Sequence, residues 1–247
     1  MHGKLDIGGV LKQTFETYKA QATLLIPAAL LVFLPVAIIT GLILSGDVGL
    51  LGLILATLLS ALATVLFQGM VVEAARDMLD GRRDETIGGL IKAVVPVLVP
   101  LLVAGLIVSV ATAIGLLLLI VGAILVATIF AAVAPVVVVE RTGAIDALKR
   151  SIALVKPHFL QVLGVIVVVF IINFVISLLL RAIFSGIDDS VFGYSAATLV
   201  TQALTAPISA LAAAVLYFRL KELHGEPVGS TTQPAGTAAV SPPPPAV

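Results

Sequence analysis

The sequence has no cysteine and no tryptophan, and only 11% of its residues are charged. The missing cysteine excludes disulfides, thiol catalysis and cysteine-ligated zinc. The scarcity of charge excludes a water-soluble globule, which carries about 25% charged residues. Histidine is limited to His2, His158 and His224, scattered with no metal-ligand spacing. Gly8-Gly9 and Gly88-Gly89 follow no strand and so cradle no phosphate. Asp188-Asp189 reads as a solvated turn. No catalytic, cofactor-binding or metal-binding residue is expected, and no enzyme activity. Lys plus Arg and Asp plus Glu number 14 each, a balance that points to no nucleic-acid partner.

What the sequence does have is apolar length, with 60% of residues hydrophobic. A membrane crossing needs about 20 apolar residues. Runs of this kind predict spans at about 23–44, 50–72, 94–114, 120–139, 158–183 and 195–218. The third and fourth come from one uncharged stretch of 47 residues between Lys92 and Glu140. As one helix it would be roughly 70 Å long, against a hydrocarbon core of about 30 Å, so it must fold as a hairpin near Gly115 to Gly122. Ala56, Ser60 and Ala63 form a small-residue stripe for close helix packing in lipid. Gln68, Asn173 and Gln202 are the strongest polar groups within the spans and are expected to tie helices together. No span carries an ionisable group near its centre, as ion-coupled transport usually requires. Tyr18, Tyr194 and Tyr217 lie near the ends of apolar runs, where amphipathic rings favour the interface.

Two segments alternate polar and apolar faces instead of spanning. Residues 6–20 read as an interfacial helix capped by Asp6, with Ile7, Val10, Leu11, Phe15 and Tyr18 on one face. The long run that follows has no cleavage site, which argues against a signal peptide. Residues 143–156 read as a second interfacial helix, with Ile145, Leu148, Ile152 and Val155 on its apolar face and a basic face directed at headgroups. The motif Ile7-Gly8-Gly9-Val10-Leu11-Lys12 is nearly repeated at Ile87-Gly88-Gly89-Leu90-Ile91-Lys92, and in outline at Ile145-Asp146-Ala147-Leu148-Lys149. Residues 224–247 read as a disordered Pro-rich tail. Six spans with both termini in the cytoplasm leave only Arg181, of the 14 Lys and Arg, on the outer side, as the positive-inside rule asks. The fold class expected is all-α: an integral membrane bundle of six transmembrane helices with cytoplasmic-side interfacial amphipathic helices.

Glu140 closes the fourth span at the negative end of its helix and therefore needs a cation, which Arg150, Arg141 or Lys149 can supply. Glu140, Arg150 and Lys156 are the candidate site residues, as an ion pair or as contacts to a lipid headgroup phosphate. Around them, Pro135-x-x-Val138-x-Glu140-x-x-Gly143 and Ala147-x-x-Arg150-Ser151-x-x-Leu154-Val155 resemble the membrane-domain family of glycerophosphoryl diester phosphodiesterases. Pro207, Leu216-Tyr217-x-Arg219 and the N-terminal Ile-Gly-Gly-Val-Leu-Lys entry are similar to it too. The resemblance covers most of residues 5–223 and implies a polytopic helical domain in a bacterial cell (inner) membrane. In some members that domain precedes a soluble phosphodiesterase barrel. After Leu223 this sequence offers only the Pro-rich tail, so the barrel's catalytic residues have no positions here. The expected function is non-catalytic: lipid interaction, or scaffolding for an envelope enzyme or transporter, with a permease or transporter subunit as the alternative. Membrane lipids and a membrane-protein partner are the expected contacts.

Overall fold

The computed structural model describes residues 5–46, 49–79, 86–118, 120–184 and 191–226. Asp47, the stretch with Arg82 and Arg83, the expected turn at Asp188-Asp189 and the tail from residue 227 lie outside the described residues, as does the side chain of Tyr194. Among the described residues every regular element is a helix: α1 (Ile7–Ser45), α2 (Gly49–Leu79), α3 (Ile87–Val94), α4 (Leu98–Leu118), α5 (Ile120–Ile129), α6 (Val133–Glu140), α7 (Ala144–Val155), α8 (Phe159–Phe184) and α9 (Val191–Leu223). One turn of 3-10 helix joins α3 to α4 at Val95–Val97, and another joins α7 to α8 at Lys156–His158. Apolar chain in lipid must satisfy its own backbone groups, which leaves the helix as the local solution. Six segments are long and apolar enough to cross a membrane, and the chain is an all-α, multi-pass membrane bundle.

The six are not equivalent. The apolar windows of α9 and of α5–α6 are 50% and 44% buried, whereas the other four are only 17–22% buried. The former make the centre, and the others turn a belt of Leu, Ile, Val and Phe outward. α1 runs antiparallel to α9 along its whole length. Gln13 meets Arg219 at one end, and Gly41 lies against Ser195 at the other. Ala56 and Ala63 are buried as the stripe predicts, and between α8 and α9 Asn173 Nδ2 donates to Ser209 Oγ at 2.7 Å.

Three expectations change. The interfacial helix at 6–20 and the span at 23–44 are one continuous helix of 39 residues, because nothing between them breaks it and Pro27 and Pro35 are absorbed within α1. Its buried stripe Val10, Thr14 and Thr17 is covered by protein rather than lipid. Asp6 takes the N-cap position but makes no side-chain bond to the first turn. The span at 120–139 is broken into α5 and α6 by turns at Phe130–Ala132. Pro135 causes the break, since it has no N–H to bond four residues back and crowds that carbonyl.

The hairpin of α4 and α5 closes where Gly115 meets Gly122. A Cβ on Gly115 would lie 2.8 Å from the Gly122 backbone, a contact that only glycine avoids. The second and third copies of the repeated motif also share a design. α3 and α7 each bury the matching leucine, Leu90 or Leu148, and each passes through a 3-10 turn with an early proline, Pro96 or Pro157, into the following span. Thr86 caps α3 by accepting from Gly89 N at 3.2 Å.

Candidate headgroup site at the charged end

The break before Pro135 builds the site. Val133 N donates to Phe130 O at 3.1 Å rather than to Ile129 O. The freed Ile129 carbonyl accepts instead from Ser151 Oγ of α7 at 2.9 Å. Thus a buried serine in the middle of α7 satisfies the backbone of the broken span and fixes α7 against it. α6, between them, buries Val133 through Val138. It ends at Arg141, whose φ of 50° is the left-handed conformation that terminates a helix. The chain then reverses through Thr142 and Gly143 into α7.

This reversal brings Glu140 and Arg150 together. Arg150 Nε donates to Glu140 Oε1 at 3.2 Å, and Tyr217 Oη of α9 donates to the same oxygen at 2.9 Å. Arg150 Nη2 donates to Glu226 Oε2. Lys221 Nζ lies 3.8 Å from that Glu226 oxygen and 5.7 Å from the centre of the Tyr217 ring. Hydrogen bonding from Arg150 holds the Glu226 carboxyl below the ordinary carboxylate range, against partial burial, with Arg150, Lys221 and His224 charge adding to the effect. A second cluster stands beside the first: Arg141 is 3.6 Å and Arg76 3.7 Å from the buried Glu73 carboxylate. Gln21 Nε2 of α1 donates to Ala74 O of α2 at 3.0 Å. Together these contacts tie α1, α2, α6, α7 and α9 at one end of the bundle. Among the described residues Arg181 is the one charge that lies at the opposite end.

The predicted trio is only partly brought together. Glu140 and Arg150 pair, whereas Lys156 begins the 3-10 turn after α7, is exposed, and makes no ion pair among the described residues. Arg141, offered as a partner for Glu140, is turned to Glu73 by its left-handed backbone. The apolar face of α7 is also rotated from the expected one. Ala147, Leu148, Ser151, Leu154 and Val155 are buried, while Ile145 and Ile152 are 55% and 41% exposed beside Lys149 and Lys156. The small residues Ala147 and Ser151 let α7 lie close to the bundle, which a hydropathy pattern does not register.

From the sequence Tyr217 belongs near the end of an apolar run, at the interface, yet it is fully buried. A tyrosine buried in an apolar stripe needs a partner for its hydroxyl, and that requirement was the available signal. From the sequence Glu226 belongs to the Pro-rich tail. The folded chain instead continues through it: Gly225, at φ 71°, turns the end of α9, and Glu226 N donates to Lys221 O at 3.0 Å. The glycine past the helix end was the signal.

The fold and this cluster define a multi-pass helical membrane protein whose described charged groups, Arg181 excepted, converge on one end. Residues 85–220 match the model of a domain of unknown function (DUF7847), and the chain belongs to that family. The matched segment holds Glu140, Arg150 and Tyr217. Neither the comparison with curated proteins nor that with solved structures returns a match.

Proposed function

We propose that the protein is a non-catalytic component of the bacterial cytoplasmic membrane that engages phospholipid headgroups at its charged end and serves as a lipid-interacting scaffold for an envelope enzyme or transporter. The observation that carries this reading is the Arg150 guanidinium, held in place by Glu140 yet 31% exposed, at the level where basic residues gather. A fixed, planar, partly open guanidinium suits the oxygens of a phosphate. The positive-inside rule favours the cytoplasmic side for this end. The positions of Glu140, Arg150 and Tyr217 are those that resemble the glycerophosphoryl diester phosphodiesterase membrane domains, and we extend that kinship in form, not in activity, to this chain.

The permease alternative draws on a cavity of about 80 Å³ in the other half of the bundle, where Thr40, Ser60, Ser195 and Gln202 present polar groups among apolar ones. Toward the charged end, Ala28, Ala29, Phe67, Met70, Leu211 and Ala214 are buried, and this apolar packing favours scaffolding over a transport path. The test is the lipid that co-purifies with the full chain. Anionic phospholipid is expected to be enriched over bulk membrane, and to fall to the bulk proportion in the Glu140→Gln/Arg150→Gln pair. An unchanged lipid profile in that pair overturns the reading.

A further inference from the structure

We infer that Glu226 is an internal anion seated in a phosphate site formed by Arg150 and Lys221, and that an external phosphate group displaces it. The inference rests on the headgroup reading above and names how that site is regulated.

The two carboxylates on Arg150 are held differently. Glu140 ends a buried helix, receives Tyr217 Oη at 2.9 Å, and its side chain is 19% exposed. Glu226 is 31% exposed and hangs on the turn made by Gly225. Its carboxylate is held by a hydrogen bond from Arg150 and by the Lys221 ammonium at 3.8 Å. Glu140 is therefore the fixed partner and Glu226 the exchangeable one. With Glu226 in place, two cations face two carboxylates. With Glu226 withdrawn, Arg150 and Lys221 face Glu140 alone and the cluster carries one net positive charge. A phosphodiester restores the balance with one negative charge, and its oxygens fit the freed edge of the guanidinium as a carboxylate does. The two cations come from α7 and α9, so occupancy by either anion also ties these helices together. Exchange between Glu226 and phosphate thus changes what is bound without opening the bundle.

The experiment uses the full chain in a non-ionic detergent, with phosphatidylglycerol, phosphatidylcholine and inorganic phosphate as separate probes and native mass spectrometry as the readout. Glu226→Gln removes the competing charge at a half-buried position beyond the end of α9, and keeps a side chain of the same shape. It is expected to bind phosphatidylglycerol about fivefold more tightly than wild type, the effect of one charge at an anionic surface. The gain should vanish when Glu140→Gln and Arg150→Gln are added. The same gain for inorganic phosphate, without one for phosphatidylglycerol, supports the site with a soluble ligand as its occupant. A gain for phosphatidylcholine equal to that for phosphatidylglycerol contradicts a site selective for net negative charge. Equal affinities in wild type and Glu226→Gln for all three probes overturn the inference. If Glu140→Gln/Arg150→Gln still lowers phosphatidylglycerol binding in that case, the headgroup reading stands without it. If it does not, both fall.

Discussion

A carboxylate at the last residue of a helix meets the partial negative charge of that helix's free carbonyls, so Glu140 depends on donors from elsewhere. α7 and α9 supply them through Arg150 and Tyr217. Breaking an ion pair costs about 0–1 kcal/mol when exposed and about 3–5 kcal/mol when buried. The Glu140–Arg150 pair is partly exposed, and Arg150→Gln alone is expected to cost about 2 kcal/mol, between these bounds. Adding Glu140→Gln should recover most of the loss, because it removes the stranded charge. A double-mutant cycle on detergent-solubilised protein, followed by denaturant or thermal unfolding, measures this. Additive losses would mean that the two residues act independently.

At the scale of elements, α7 is the piece whose position the sequence states least completely. Its existence and ends follow from Gly143, the 3.6-residue periodicity and Pro157. Its rotation does not, since Ile145 and Ile152 look like core and are exposed, whereas Ser151 looks polar and is buried on Ile129 O. The freed Ile129 carbonyl that makes a buried serine favourable lies 22 residues upstream, at the break before Pro135, and local patterning cannot see it. The same holds for Glu226, whose partner Arg150 is 76 residues away. The spans were legible because length and apolarity are local properties, and the paired Glu140 and Arg150 because a helix-terminal carboxylate demands a cation. The rotation of α7 separates two otherwise similar substitutions. Leu154→Asp loses about 1.5–3 kcal/mol of burial and strands a carboxylate in apolar surroundings, so it should abolish folded protein. Ile152→Asp, at a 41% exposed position, should leave the detergent-solubilised melting temperature within a few degrees of wild type. Equal collapse of both would place Ile152 in the core after all. Size-exclusion chromatography and a thermal melt of each variant decide it.

Across the whole molecule, every described helix that carries charge at an end, α8 excepted, brings it to the same end. The bundle is polarised: among the described residues one end is laced by Glu73, Glu140, Arg150 and Tyr217, and the other carries only Arg181. Cytoplasmic segments of membrane proteins carry an excess of Lys and Arg, which favours one orientation of such an object. The central claim, that the charged end is a single cytoplasmic face of a six-span protein, is tested most directly by single-cysteine accessibility, which a chain without cysteine permits cleanly. Ser45, at the end of α1, and Lys149, on α7, are both exposed and lie at opposite ends. With a membrane-impermeant thiol reagent, Ser45→Cys is expected to label in intact cells and Lys149→Cys only after permeabilisation. Labelling of Lys149→Cys in intact cells would contradict the account.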